Sequence, residues 1–429
     1  MFVRELTLHD FRSWPQIHLD LQPGTTIFVG RNGFGKTNLL ESLFYTATLR
    51  SHRVSSDAPL VRSGADAARI VATVENEGRE LTVELTVAAQ GANRAAVNTR
   101  PVRRTREVLG ILRTVLFAPE DLALVRGDPG ERRRFIDELV AQLRPMAAGA
   151  KADYDRVLRQ RSALLKSAGA ALRRGGDQAD SVLSTLDVWD GQLADLGAQV
   201  TAARLAVLGQ LAPHVVAAYA SIAPHSRPVR VSYRSAAGSA VDESAGGDGA
   251  VDDIRAAIAE QLAAVRTKEI ERGLCLVGPH RDDLLLELGD DPAKGFASHG
   301  ESWSLALSLR LGSVELLRAD GVEPVIMLDD VFAELDVARR TKLAEFTASA
   351  DQLLITAAVA EDIPDQVVGR RIRVGVVDDD GARHSVITDD ETIGVRETTG
   401  VRETGGVRDT IGADEEVGDV GRGARDDAE

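Results

Sequence analysis

The sequence predicts an α/β fold: a head split into two halves in sequence, an antiparallel β subdomain in its first half, and an inserted α-helical lobe. Three observations lead there. Strand patterns fill the N-terminal part, helical spacing takes over from about residue 129 to 272, and strand patterns return after Gly273. The expected divisions are 1–130 and 273–388 for the two halves of the head, 131–272 for the lobe, and 389–429 for a polar tail.

The first strands lead into a loop. Residues 3–8 and 17–21 alternate apolar and polar, the period of a half-buried strand. Residues 25–29 form a short apolar run that ends in Gly30-Arg31-Asn32-Gly33-Phe34-Gly35-Lys36-Thr37. Beyond it, Leu39, Leu40, Leu43 and Phe44 carry helical spacing over residues 38–49. Strand, glycine loop and helix in this order is the context of a phosphate-binding P-loop. The glycines let backbone N–H groups turn inward around phosphates, and the helix N-terminus adds its positive end. Lys36 is expected to reach the β and γ phosphates, and Thr37 to set its hydroxyl on Mg²⁺.

Residues 69–75, 81–88 and 94–98 predict an antiparallel meander. Helices follow at 131–143, 151–167, 183–211 and 251–271, interrupted by a strand at 228–234 and a Gly/Ser/Ala/acid stretch at 235–252 read as a flexible loop. They read as too short, and too poor in heptads, for a coiled-coil rod. Strands return at 284–288, 324–328, 352–356 and 371–376. The tail repeats Gly394-Val395-Arg396-Glu397-Thr398 as Gly400-Val401-Arg402-Glu403-Thr404 and Gly406-Val407-Arg408-Asp409-Thr410. It lacks the apolar content for a core and is expected to be disordered.

Composition narrows the function classes. No run approaches the roughly 18 uninterrupted apolar residues of a membrane helix, so no membrane partner is expected. The first ten residues alternate with charges inside them, unlike a signal peptide. A single cysteine, Cys275, excludes an intramolecular disulfide and a cysteine-built metal site, and fits a reducing cytoplasm. Its apolar neighbours mark it as a small core residue. The net charge of −15 argues globally against nucleic acid, yet the tail carries about half of that excess. The body holds basic clusters at Arg100/Arg103/Arg104/Arg106, Arg132/Arg133/Arg134, Arg156/Arg159/Arg161 and Arg173/Arg174.

Two downstream motifs extend the P-loop argument. Pro324-Val325-Ile326-Met327-Leu328-Asp329-Asp330 is a buried strand ending in two acids. Carboxylates at such an edge can hold Mg²⁺ and polarise an attacking water, with Asp329 the metal-side candidate and Asp330 the candidate general base. Ser298-His299-Gly300-Glu301 opens a helix through Leu305, Leu309 and Leu316. A serine and a glycine there make either a plain N-cap or a second anion-binding end.

Together these motifs resemble the ABC-type ATPase heads of the structural-maintenance-of-chromosomes and Rad-fifty class. Within that class the chain is similar to the RecF family of bacterial recombination mediators, over about residues 1–387. The resemblance adds Arg4-Glu5-Leu6 to Phe11-Arg12, Phe117-Ala118-Pro119-Glu120-Asp121-Leu122, residues 127–137 from Gly127-Asp128-Pro129, Gly278-Pro279-His280-Arg281-Asp282-Asp283 and Ala333-Glu334-Leu335-Asp336. It implies that ATP brings two heads together: Ser298 and Gly300 of one copy touch the γ-phosphate held by the other, and Asp336 lies in the loop crossing between them. Glu120 stands where such heads usually have Gln, Thr356 where many have His, and Glu301 where the signature has Gln; roles for Thr356 and Glu301 are left open.

The implied function is ATP-dependent DNA binding in recombinational gap repair. The protein would help load the recombinase on DNA coated with single-strand-binding protein at gaps and junctions, with roles in DNA replication and the SOS response. Double-stranded and gapped DNA, an ATP-dependent homodimer and mediator proteins of the same pathway are the implied partners, and ATP and Mg²⁺ the cofactors. The implied enzyme is a weak DNA-dependent ATPase serving as a dimerisation switch. The alternative, a structural chromosome-organising ATPase of the SMC type, lacks its long coiled coils here. Arg132, Arg133 and Arg134 oppose the dipole of their helix, so phosphate contact and salt bridges to Asp137 or Glu138 both stand as explanations. Aromatic content of 4% makes base stacking a poor fit and backbone recognition of duplex DNA a better one.

Overall fold

Alternation over β1 (Phe2–Phe11), shifted once by an irregularity between Val3 and Glu5, turns Val3, Leu6 and Leu8 inward and Arg4 outward. The computed structural model describes residues 1–174, 176–238, 241, 250–379 and 382–390. Most of the 235–252 stretch and all of the tail repeat lie outside these residues. β1 joins β2 (Trp14–Asp20), β4 (Ala67–Asn76), β5 (Arg79–Ala88), β6 (Arg94–Val97) and β7 (Arg100–Pro101) in a six-stranded antiparallel sheet ordered β2-β1-β4-β5-β6-β7. This is the expected meander with the two N-terminal strands added to it.

The second sheet unites the two ends of the chain. Its order is β15-β14-β3-β13-β12-β8, from β3 (Gly24–Val29), β8 (Thr114–Phe117), β12 (Val325–Asp329), β13 (Gln352–Ala357), β14 (Arg370–Asp379) and β15 (Ala382–Asp390). All neighbours are parallel except β14 and β15. Phe28, Leu116, Met327 and Leu354 face the antiparallel sheet across α1 (Lys36–Thr48), whose Leu39, Leu40, Leu43 and Phe44 fill the gap. Ile27, Phe117, Leu328 and Ile355 face the other way, against Trp303, Leu307 and Leu311. A strand buried on both faces reads as a continuous apolar run, which is what the sequence shows there. The layers therefore run sheet, helix, sheet, helix.

Beyond β8 come α2 (Leu122–Arg126), α3 (Pro129–Leu143), α4 (Pro145–Arg174), α5 (Asp177–Ile222) and α6 (Ala250–Arg272), with a small sheet in which β9 (Val229–Arg234) pairs with β10 (Asp283–Leu288) and β10 with β11 (Asp291–Pro292). After it come α7 (Ala293–Phe296), α8 (His299–Ala319), α9 (Val331–Glu334) and α10 (Val337–Thr347). The helices are longer than their periodicity suggested. α5 spans 46 residues, about 70 Å, and runs straight past Pro213, because Val215 and Tyr219 beyond the proline are buried in the core with Leu305 and Leu309 of α8. α5 is also long and apolar enough to cross a membrane by length and composition, with a window of mean hydropathy 1.5. It carries the buried Arg204, however, which donates to Asp137 from Nε at 2.8 Å and from Nη2 at 3.0 Å.

Two arginines of the basic run on α3 are structural, while Arg134 pairs, among the described residues, only with Glu131 on its own helix. Arg132 pairs with Asp283, not Asp137 or Glu138, donating from Nε at 2.8 Å and Nη2 at 3.0 Å; Arg133 donates to the Asp282 carbonyl at 2.7 Å. Asp282 itself accepts from Tyr233 Oη at 2.6 Å and from the Ala236 amide at 2.7 Å. The Gly278–Asp283 stretch is thus the knot that ties α3, α5 and β9 together. Cys275 is buried as expected, but in polar company: Arg161 Nη1 lies 3.2 Å from its Sγ, while Leu274 is exposed.

Candidate nucleotide-binding site

The P-loop turns tightly between β3 and α1. Gly33 and Gly35 take φ of +81° and +97°, which L side chains rarely adopt, and Gly35 caps the helix. A side chain at Gly35 would also collide with the hydroxyls of Ser13 and Ser385. Arg31, Asn32 and Gly33 are exposed at the loop crest, the Phe34 amide donates to the Arg31 carbonyl at 3.2 Å, and the Phe34 ring lies under Arg383. Gly30 sits against the Val374 carbonyl, where any Cβ would clash.

Lys36 is nearly fully buried, at 3% exposure, with Nζ 3.5 Å from Asn32 Oδ1 and 3.8 Å from Asp330 Oδ2. Thr37 Oγ1 donates to Asp329 Oδ1 at 2.8 Å, and Thr356 Oγ1 donates to the same oxygen at 2.7 Å. Burial pushes the Asp329 carboxyl up to about 6 against the pull of those two hydroxyls. Asp330 sits at φ +51° beside it, with its amide donating to Thr356 Oγ1 at 2.9 Å. Asp330 Oδ1 is buried with no hydrogen-bond partner. A cavity of about 630 Å³ opens over these groups, lined by Lys36, Thr37 and Asp330 together with Arg12, Ser13, Asn38 and Arg53.

Thr37 and Asp329 present hard oxygen donors side by side, the chemistry that suits a small divalent cation. Asp330 lines the same cleft and carries a buried oxygen without a partner, so the donor set fits Mg²⁺ with a nearby water. His52 joins the cluster unannounced by any local pattern. Its Nε2 stands 4.0 Å from Asp329 Oδ2, neither ring nitrogen has a hydrogen-bond partner, and burial lowers it to about 4, which keeps it neutral. Arg12 holds the floor of the cleft by donating to Glu41 from Nε at 2.8 Å and Nη2 at 2.6 Å.

The other expected residues lie apart from the P-loop. Ser298, Gly300 and Asp336 do not line its cavity. Ser298 caps α8: its Oγ accepts from the Glu301 amide at 3.2 Å, and its own amide donates to Glu301 Oε2 at 2.9 Å. Glu301 therefore folds back on its cap, and those bonds hold its carboxyl below the usual range. Asp336 caps α10, accepting from the Arg339 amide at 2.9 Å. Glu120 is exposed, while Asp121 beside it binds Arg310 of α8 at 2.9 and 2.7 Å from Nε and Nη2. Among the cationic candidates, Arg103 and Arg104 are exposed and Arg106 is half-buried, 3.9 Å from Asp153.

Comparison with known proteins agrees with this architecture. The sequence model of the RecF/RecN/SMC N-terminal domain family matches residues 2–375. The DNA replication and repair protein RecF of Rhodococcus erythropolis is 59% identical over 397 residues, which cover 90% of this chain and 97% of that protein. Two solved structures of the recombination mediator protein RecF in the RecFOR pathway, one with ATPrS and one with ATP, match with TM-scores of 0.77 and 0.76. Each is 25% identical, and the matches cover 90% of this chain and 98% and 97% of those chains. The fold is that of an ABC-type ATPase head, and the chain belongs to the RecF family.

Proposed function

We propose that this chain is an ATP-dependent DNA-binding protein of recombinational gap repair. It helps load the recombinase onto DNA coated with single-strand-binding protein at gaps and junctions, and serves DNA replication and the SOS response. It works in the cytoplasm with mediator proteins of the same pathway. The observation that carries the reading is the meeting of Thr37 with Asp329 at 2.8 Å, in a chain 59% identical to a DNA replication and repair protein.

In this reading Gly30, Arg31, Asn32, Gly33, Phe34 and Gly35 shape the loop whose amides take the phosphates, and Lys36 neutralises their charge from below. Thr37 and Asp329 hold Mg²⁺, which supplies charge neutralisation at the phosphate oxygens when bound. Asp330 orients the attacking water and takes its proton. The nucleotide cleft is half of a latch. Ser298 and Gly300 of a second copy close its other side, and Asp336 lies on the loop between the two. The bound state persists because one triphosphate touches both copies, and slow hydrolysis releases them. The division into head halves 1–130 and 273–388 around a lobe 131–272 belongs to the same proposal.

Light scattering with and without ATP tests the latch, and turnover with gapped, duplex and single-stranded DNA tests the repair role. The reading expects an ATP-dependent dimer that Ser298→Arg abolishes while the monomer still binds ATP. It also expects greater stimulation by gapped or duplex DNA than by single strands. A particle of unchanged mass with ATP overturns the latch; equal stimulation by all three DNAs, or by none, overturns the gap-repair role. The chromosome-organising alternative has less support, because the relative that matches at 59% identity is a DNA replication and repair protein.

A further inference from the structure

One side chain joins the two elements that the latch reading offers to a partner. Arg339 stands in the first turn of α10, three residues after Asp336. Its Nη2 donates to the Gly300 carbonyl at 2.9 Å, its Nε donates to Ser304 Oγ at 2.9 Å, and its Nη1 pairs with the Asp336 carboxylate. A guanidinium is suited to this, since its planar fork can satisfy several acceptors in fixed geometry. Ser304 is fully buried, so that end of the bridge is anchored in the core of α8. Ser298 and Asp336 are exposed at the other end.

A second observation concerns the glycine. A Cβ at position 300 would lie 2.9 Å from Arg339 Nη2 and 3.7 Å from its Cζ. A side chain at position 300 would therefore push the guanidinium from the seat it takes on this turn within its own subunit. Gly300 and Arg339 are two halves of one contact.

We propose that Arg339 is a positioning residue that fixes the Ser298–Gly300 helix start and the Asp336 turn as one rigid surface, presented in trans to the nucleotide of a second copy. This rests on the latch reading. It adds that the surface is set inside each subunit before the partner arrives, so that little ordering remains to be done on closure.

The test is complementation between full-length variants. Arg339→Ala is expected to bind ATP as a monomer like the parent, yet to lose ATP-dependent dimerisation and at least tenfold in turnover. Lys36→Met alone should be inactive as well. Mixing the two leaves one composite site with an intact P-loop from the Arg339→Ala subunit and an intact helix start from the Lys36→Met subunit, and turnover should return. Arg339→Lys keeps the charge and guards against loss of fold; one amine cannot span the three acceptors, so it should behave as the alanine variant does. Recovery in the mixture supports the proposal. Parent-like dimerisation by Arg339→Ala, full activity of Arg339→Lys, or a mixture as inactive as its parts overturns it. A parallel mixture of Ser298→Arg with Lys36→Met reports on the latch itself: if that control fails to recover, the latch reading falls, and if only the Arg339 mixture fails, Arg339 alone does.

Discussion

Thr356 Oγ1 gives its hydrogen to Asp329 Oδ1 at 2.7 Å and takes one from the Asp330 amide at 2.9 Å. One buried hydroxyl thus sets the angle of both acids at the end of β12. Thr356→Val keeps the shape and removes both bonds, leaving a buried carboxylate short of one donor. We expect a loss of about 1–3 kcal/mol in stability and a fall in turnover at saturating ATP with nucleotide affinity little changed. Urea titration and steady-state kinetics read the two effects; parent-like turnover would show that Asp329 keeps its orientation without Thr356.

Lys36→Met and Asp330→Asn should part company. Losing the buried ammonium beneath the loop should abolish triphosphate binding by calorimetry while the melting profile stays cooperative. Asp330→Asn keeps the shape of the side chain but removes the proton acceptor 3.8 Å from Lys36, so ATP should bind and the dimer should accumulate without turning over. Normal turnover in that variant removes Asp330 from the base role.

Glu138 gives the pH prediction. It is buried on α3, and burial pushes its carboxyl up to about 7. A folded-state value above the unfolded one means the penalty is present in full above about pH 7 and fades as pH falls toward the ordinary carboxyl value of 4.5. From pH 8 to pH 5.5 this one group should return about 2 kcal/mol of stability. Glu138→Gln removes the charge, so the variant should be more stable than the parent at pH 8 and the advantage should shrink at pH 5.5. Denaturant midpoints at the two values decide it, and parallel curves for parent and variant would refute it.

Arg132→Leu takes the two-pronged partner from the buried Asp283 and leaves it, among the described residues, only Arg234 Nη2 at 3.4 Å. Breaking a buried pair from one side costs about 3–5 kcal/mol, so the lobe should unfold at lower denaturant. The companion double change with Asp283→Leu should recover part of that loss. A single variant within experimental error of the parent would mean the pair contributes little.

The parts of the site legible in the sequence were those that chemistry confines to a short contiguous stretch. A loop that must wrap phosphate needs its glycines, lysine and threonine in order, and a buried strand ending in two acids is visible as an apolar run. What stayed hidden depends on distant partners. Asp283 is 151 residues from Arg132, so local charge gave the wrong partner for the arginine run. His52 carries no periodic signal and acquires its meaning only beside Asp329. β8 is a threonine and three apolar residues, too short for a period to reveal it, and β15 is largely polar on an edge. The helix expected at 183–211 runs on to Ile222 because the packing that carries α5 past Pro213 comes from α8.

The sheet order also has a consequence for biosynthesis. β3 is hydrogen-bonded on one side to β13 and on the other to β14, so both of its neighbours are made more than 320 residues later. While the ribosome is still adding the lobe, the P-loop strand has two open edges and no parallel partner to join, and its Ile27 face, which packs on Trp303 and Leu307 in the finished head, has nothing to cover it. The cleft cannot take shape during most of translation; it closes only when the last strands emerge. ATP present in the cell at that moment binds the finished head and not its precursors, and so pulls the final step of folding forward.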